Sequence, residues 1–373
     1  MATPLVSWPQ DVTLIAACRS CMSPAMREPT PRELVLRTVR FERTPRVPRN
    51  LWTLPWAETH YPVELQTIRR DFPDDIVSPT VDFPRPDCMR GDPYTPGVFV
   101  DEWGCEFLNI QAGAIGEVKN PPVRSYASDL DKVRPPWAWA RIDLGLVAEQ
   151  YAGTDRFMLS PLCFRLFERM QFLRGTEALY IDLMEQPAGL TEMTRRIHEW
   201  NLAMVDAWAA TDVDAILGMD DWGSQRSLLI SPRLWRDFFK PYYRQYVERI
   251  HAAGKLCFFH SDGYIFDIYE DLIEIGVDAV NSQLFCMDIE EIGRRFKGRI
   301  TFWGEVDRQH LLPYGSIEDI RGAVRRAAAA LYGGQGGVIA QCEFGVGARP
   351  ENVRAVFEEW SRVSREVGQS FGQ

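Results

Sequence analysis

The chain has no run of about 18 consecutive apolar residues, the length that a membrane-crossing helix needs. It also lacks the clustered Lys and Arg that grip nucleic acid or an anionic bilayer. Acidic residues outnumber basic ones, 52 against 42, for a formal net charge of −10. Such a surplus favours solubility rather than a polyanionic partner. Cysteine is sparse: Cys18, Cys21, Cys88, Cys105, Cys163, Cys257, Cys286 and Cys342 are scattered over 373 residues. That excludes a disulfide framework, and free thiols in the reducing cytoplasm are the expectation. The first residues have no basic segment, and Asp11 interrupts their apolar part, so a signal peptide is not expected. Cys18 and Cys21 form a CxxC without a second pair or a flanking βαβ unit, so no metal or redox role is expected there. A Gly-rich phosphate loop after the first strand is also missing, which excludes a dinucleotide-binding unit.

What is present is a chain able to build a large core, with 46% hydrophobic and 25% charged residues. Its length suits one large α/β barrel with extensions, or two modest domains. Residues 1–28 read as a loose N-terminal extension. Thr30-Pro31-Arg32-Glu33 predicts a helix start, with Pro at the first helical position and a capping box. Val47–Leu54 reads as the first strand. Residues 60–135 are Pro-rich and irregular, and Phe99–Ile110 alternates like a hairpin strand, with a partner strand around Gly116–Lys119. We expect an inserted β-rich region there, a lid over a barrel mouth. Beyond residue 136, apolar runs recur at Phe157–Leu159, Ala178–Leu183, Ala215–Met219, Leu256–His260, Ala279–Ser282, Ile300–Trp303 and Gly337–Gln341. Amphipathic segments such as Ser231–Gly254 and Ile265–Gly276 lie between most of them. Eight short buried runs alternating with helices predict a (β/α)8 TIM barrel over residues 29–373.

Active residues of such barrels sit at the C-terminal ends of the strands. The predicted strand ends carry Asp220-Asp221, His260-Ser261-Asp262, Asn281-Ser282-Gln283, Glu305-Val306-Asp307 and Gln341-Cys342-Glu343. Unpaired carboxylates are costly to bury, so their convergence implies partners, a ligand or a metal. His260, Asp262, Glu305 and Cys342 together offer imidazole, carboxylate and thiolate, a set that suits Zn²⁺ with an open position. The plainer alternative makes His260 a hydrogen-bonding barrel residue and Cys342 a small buried hydrophobe. Asp220 and Asp221 are neighbours on a strand and point to opposite faces, so at most one faces the mouth. That one is a general acid or base or binds a cationic group; the alternative is a helix cap or a structural ion pair. Trp103 with Asp101-Glu102 either lines the lid or packs a hairpin against its own apolar face. His60, His198, His251 and His310 lack partners at ligand spacing and are expected at the surface.

These segments carry a resemblance. DDWGSQRSLLISPRLWRDFFKPYYRQYVERIHAAGKLCFFHSDGYIFDIYEDLIEIGVDAVNSQ, from Asp220 to Gln283, resembles the core of the uroporphyrinogen decarboxylase superfamily. So do ITFWGEVDRQHLLPYGSIEDIR, CEFGVGARPENVRAVFEEW, TPRELVLRTVRFERTPRVPRNLW and the hairpin VDEWGCEFLNIQAGAIGEVKNPPV. The resemblance spans about residues 29–365. The decarboxylases hold substrate carboxylates with an arginine-rich segment near the first strand, where this chain has Pro48-Arg49-Asn50-Leu51-Trp52-Thr53-Leu54 and a single Arg. A substrate with eight carboxylates calls for several Arg forks, so the resemblance points instead to the metal-dependent corrinoid methyltransferases. These bind zinc through His-x-Cys after the fifth strand and a Cys after the eighth. The matching positions are His260, Asp262 and Cys342, and the exchange of thiolate for carboxylate hardens the site toward another divalent metal.

The resemblance thus implies a methyltransferase acting on a small molecule. Metal ligands are His260, Asp262 and Cys342. Catalytic candidates are Asp220, Asp221 and Glu305, and substrate contacts fall to Trp103, Asn281, Gln283 and Glu343. A corrinoid would ride on a partner protein, since no Asp-x-His-x-x-Gly cobalamin-binding module appears here. Homo-oligomerisation stays open. A cofactor-free lyase built on Asp220 or Asp221 and a non-catalytic binding barrel are the competing readings.

Overall fold

The computed structural model describes residues 27–370. Eight parallel strands form one sheet: β1 (Arg49–Thr53), β2 (Ile76–Val77), β3 (Phe157–Phe164), β4 (Ala215–Met219), β5 (Leu256–Ser261), β6 (Ala279–Ser282), β7 (Thr301–Trp303) and β8 (Val338–Phe344). Their spatial order is β1-β8-β7-β6-β5-β4-β3-β2, with helices outside, as in a (β/α)8 TIM barrel. Between β1 and β2 the closure relies on side chains. The Asp75 backbone N–H donates to the Arg49 carbonyl at 2.9 Å, the Asp75 carboxylate accepts the Arg49 N–H at 2.7 Å, and Asp74 accepts the Leu51 N–H at 2.5 Å.

Side chains alternate between the barrel interior and the outer helical layer. Phe157, Ala215, Phe258, Ala279, Trp303 and Ile339 form the inner cluster near the N-terminal ends of the strands. Helix α1 (Pro31–Val39) adds Val35 and Val39 to this cluster and so plugs that end of the barrel. Its start follows from local chemistry: Thr30 and Glu33 form the reciprocal capping box and Pro31 opens the first turn. A much larger cluster packs the outer strand faces against the helices.

Two expectations need correction. Ala178–Leu183 is not a strand; it lies within the helix Thr176–Glu185. Short apolar runs do not by themselves distinguish a buried strand from a helix. The second barrel strand is instead Ile76–Val77, inside the stretch expected to be an insertion. Two residues between Pro73 and Pro79 leave no periodic signal. The same stretch contains the helix Pro62–Asp71 and a three-stranded antiparallel sheet, Gly97–Val100, Glu106–Asn109 and Glu117–Asn120. Phe99–Ile110 is therefore two strands joined by a turn at Asp101–Cys105 rather than one. Asp101 and Glu102 of that turn grip Arg169 on the helix α2 (Phe167–Arg174), fastening the small sheet to the barrel wall. Cys18 and Cys21 lie outside the described residues. No described helix is long and apolar enough to cross a membrane.

Candidate active site at the C-terminal mouth

β4 and β5 run side by side, with Met219 opposite His260. The Asp220 N–H donates to the His260 carbonyl at 3.1 Å, and the two aspartates beyond the strand diverge. Asp220 is fully buried and accepts from the backbone N–H groups of Leu166, Phe167 and Glu168 at 2.7, 3.0 and 2.7 Å, and from Tyr243 Oη. It therefore serves as the anion at the N-terminus of α2. Burial pushes its carboxyl up, against the pull of those donors. Asp220, expected as a catalytic candidate, is thus placed off the mouth, fully buried and held by four donors of the fold. Asp221 turns to the mouth and accepts the Asp262 N–H at 2.9 Å.

His260 follows Phe258 by two residues and so projects into the barrel, where Trp52 of β1 lies against it with ring centroids 5.3 Å apart. Its Nε2 stands 3.6 Å from Asp221 Oδ1 and 3.5 Å from Asp262 Oδ1. Its Nδ1 meets Asn281 Oδ1 at 2.6 Å. Asn281 donates from Nδ2 to the Trp303 carbonyl, so its oxygen is the atom presented to the ring. Nδ1 therefore carries a hydrogen, and Nε2 is the ring nitrogen turned toward the two carboxylates, where a lone pair on it would point at them. Those three groups repel one another unless a cation sits among them. Asp262 Oδ1 is buried with no hydrogen-bond partner, as an unfilled ligand position would be. One ligand atom each from Asp221, His260 and Asp262 lies within 4.8 Å of the other two. One imidazole and two carboxylates fit Zn²⁺ or a harder divalent ion with room for a further ligand.

Cys342 does not join this group. Ile339 faces the interior, so Gln341 and Glu343 do as well, whereas Cys342 and its register partner Leu51 belong to the outer cluster. The thiol is fully buried and pushed well above its ordinary range, first by burial and then by Glu305 and Glu343. Of the three residues expected to ligate a metal, His260 and Asp262 lie together while Cys342 does not join them; Asp221 stands in its place. Strand parity explains the error: the predicted strand was right, but the residue one place along it is the one that faces inward.

The other predicted residues divide. Glu343 reaches the mouth and accepts from Arg308 Nη1 at 2.9 Å. Arg308 also bonds Asp262 Oδ2 through Nη2. Glu305 is buried, yet its nearest ion-pair contact, Arg308 Nε, lies 3.9 Å away, beyond hydrogen-bonding reach. Burial drives its carboxyl well above the ordinary range, Arg308 pulls it back, and Asp262 and Glu343 push it further up. Gln283 accepts the Gly263 N–H at 3.1 Å and borders a cavity of 190 Å³ shared with Glu305 and Arg308. Gly263, at φ +77°, lets the β5 turn lie directly on the backbone of Gly223, where a Cβ would collide. Asn281, expected as a substrate contact, is buried and holds the His260 ring through Nδ1. Trp103, expected as a substrate contact, is buried, packs edge-on against Trp200 at 5.2 Å and lies under Arg169.

Sequence reasoning missed Arg308 and Trp52. Arg308 directly follows Glu305-Val306-Asp307 and was findable as the one cation at an acidic strand end. Trp52 was visible in β1, but its inward orientation depended on register. Glu168, at the start of α2, was also missed. Its carboxyl is pushed up to about 8 by burial, opposed by Arg165 at 3.2 Å and reinforced by the charge of Asp221.

A barrel with imidazole and carboxylates gathered at its C-terminal rim defines a class of enzyme scaffold, and sequence comparison narrows it. The model of the uroporphyrinogen decarboxylase (URO-D) family matches residues 161–363, over half of the chain and β3 to β8. The chain belongs to that family. Among solved structures it is similar to a methyltransferase from Methanosarcina mazei, at 16% identity and a TM-score of 0.65, covering 90% of this chain and 99% of that one. An endo-β-1,4-xylanase of glycoside hydrolase family 10 from Gloeophyllum trabeum aligns at 11% identity and a TM-score of 0.40, over 87% of this chain and 99% of that one. No curated protein sequence matches the chain.

Proposed function

We propose that the protein is a metal-dependent methyltransferase, moving a methyl group between a small molecule and a corrinoid held by a partner protein. The observation that carries this reading is the convergence of His260 Nε2, Asp221 and Asp262 at the mouth of a URO-D-family barrel. A divalent ion bound there supplies Lewis acidity that activates a coordinated group for methyl transfer. Asn281 fixes the imidazole tautomer, and Trp52 walls one side of the ring. Arg308 matches the charges of Asp262 and Glu343 and holds both carboxylates at the rim. The family's decarboxylation chemistry is less favoured. Asp220 is committed to the α2 backbone, and Arg49 begins β1, at the opposite end of the barrel from this mouth.

Metal content of the purified protein, measured by elemental analysis after loading with Zn²⁺, Mn²⁺ or Co²⁺, tests the centre. The expected result is one ion per chain, lost in His260→Ala. Alkylation of free cob(I)alamin by methylated donors, followed in the visible spectrum, tests the chemistry. A fully metal-loaded protein inert toward every methylated ammonium and methoxylated donor would overturn the methyl-transfer reading.

A further inference from the structure

Arg308 stands among three carboxylates and satisfies two. Nη2 bonds Asp262 and Nη1 bonds Glu343, leaving Glu305 with only Nε at 3.9 Å. Among the described residues no side-chain hydrogen bond reaches Glu305, whose nearest cation is Arg308 Nε at 3.9 Å, and the residue is 5% exposed. A buried carboxylate in that condition is costly, and the cost falls when a cation arrives beside it.

The cavity at Glu305 is shaped for such a guest. It encloses 190 Å³ and is bordered by Phe285, Gln225, Gln283 and Asp307. That is below the ~300–1,000 Å³ usual for drug-sized ligands, so the guest is compact. The lining is rich in acceptors. Gln225 and Gln283 turn their amide oxygens toward Cys286 Sγ, at 3.2 and 3.4 Å, and Asp307 adds a second carboxylate. Phe285 contributes an apolar ring, and aromatic faces attract alkylated ammonium ions once water is displaced. Arg308, the one guanidinium on the lining, hydrogen-bonds Asp262 and Glu343 and reaches Glu305 only through Nε at 3.9 Å, so one positive charge faces three carboxylates and offsets Glu305 only in part.

We infer that this cavity binds the substrate and that the substrate is a small methylated ammonium ion, recognised by Glu305. The assignment rests on the methyl-transfer reading for its chemical consequence, but the binding itself does not. Burial pushes the Glu305 carboxyl up, toward its neutral form, while an ion-pair partner opposes that shift. An arriving ammonium ion favours the carboxylate, so binding near pH 7 releases a proton. Discrimination against an uncharged look-alike then comes from the carboxylate rather than from shape.

Titration calorimetry with choline and with its neutral isostere 3,3-dimethylbutan-1-ol, on metal-loaded and on metal-free protein, tests the inference. Choline should bind at least about tenfold more tightly than the isostere, equivalent to roughly 1.4 kcal/mol. Its measured heat should vary with the ionisation enthalpy of the buffer, reporting the released proton. Glu305→Gln should remove the preference and the buffer dependence while the isostere binds as before. Equal binding of the two ligands, no choline binding at all, or a folded Glu305→Gln protein that keeps the preference would each overturn it. If the variant does not fold, the wild-type comparison and its buffer dependence decide alone. A protein that prefers choline yet binds no metal would overturn the metal centre and leave this inference standing.

Discussion

His260 donates from Nδ1 to Asn281 Oδ1 across 2.6 Å, and this one bond determines what the opposite ring nitrogen can do. With a hydrogen fixed on Nδ1, Nε2 is the nitrogen left to act as the proposed metal ligand. Replacing Asn281 with Leu removes the partner and frees both tautomer and ring. Partners of this kind usually account for about 10–100-fold in metal affinity. Asn281→Leu should therefore weaken Zn²⁺ binding by about that factor in a chelator competition, while Asn281→Asp, which keeps an acceptor, should restore much of it. Unchanged affinity in Asn281→Leu would show that His260 is not a ligand.

Cys342 gives the complementary test. Its sulfur sits in the outer core, so Cys342→Ala should leave metal stoichiometry at the wild-type value. The cost should appear in stability instead, about 1 kcal/mol for a small buried side chain removed from a packed site. Elemental analysis and thermal melting separate the two effects. Loss of the metal with an unaltered melting curve would return Cys342 to the centre.

Asp220 and Asp221 are adjacent in sequence and opposite in role. Asp220→Ala strands three buried N–H groups and Tyr243, and should destabilise the protein by about 3 kcal/mol. Asp221→Ala should melt close to wild type but bind metal weakly. Denaturant unfolding and metal titration of the two variants should give crossed results. A stable Asp220→Ala protein that has lost activity would favour the cofactor-free mechanism.

How much of this was legible beforehand varies by residue. The strand ends bearing Asp221, His260, Asp262 and Glu305 could be found because apolar runs followed by polar turns are a local signal. The second strand could not: Ile76–Val77 is too short for a period, and although it pairs with β3, its side toward β1 is bridged by Asp74 and Asp75 rather than by a ladder. Cys342 and Glu343 show a different limit. Placing the strand was possible from sequence, but deciding which of two neighbours faces inward needs register, and an error of one residue reverses every side chain. Trp103 was misread because aromatic residues in a hairpin look alike whether they line a mouth or pack on a helix. Only the buried Arg169 contact tells them apart.

Arg169 also bears on how the small sheet is held. Its guanidinium pairs with Asp101 and Glu102; Arg169 and Asp101 are buried and Glu102 is partly so. Arg169→Met leaves two carboxylates without their cation, a change that typically costs about 3–5 kcal/mol. The hairpin should then open locally, and limited proteolysis should cut between residues 97 and 120 well before the barrel unfolds. A variant as resistant as wild type would show that apolar packing by Phe99, Trp103 and Phe107 holds the hairpin alone.

The gap between β1 and β2 should leave a mark on pH stability. Burial pushes the Asp74 carboxyl up to about 6 from an ordinary 3.8, more than its hydrogen bond from the Leu51 N–H pulls it down. Between those two values the folded chain holds a proton that the unfolded chain has released, so stability from this group falls as pH rises. Its contribution is fully present below about pH 4 and lost by about pH 6 to 7. Asp74→Asn keeps an oxygen for the Leu51 N–H and cannot ionise. At pH 7 the variant should be more stable than wild type by up to about 3 kcal/mol, and at pH 4 the two should nearly coincide. Urea unfolding at the two pH values measures this directly. A variant weaker than wild type at pH 7 would mean that the negative charge itself, drawn toward Arg156 and Arg69, helps close the barrel.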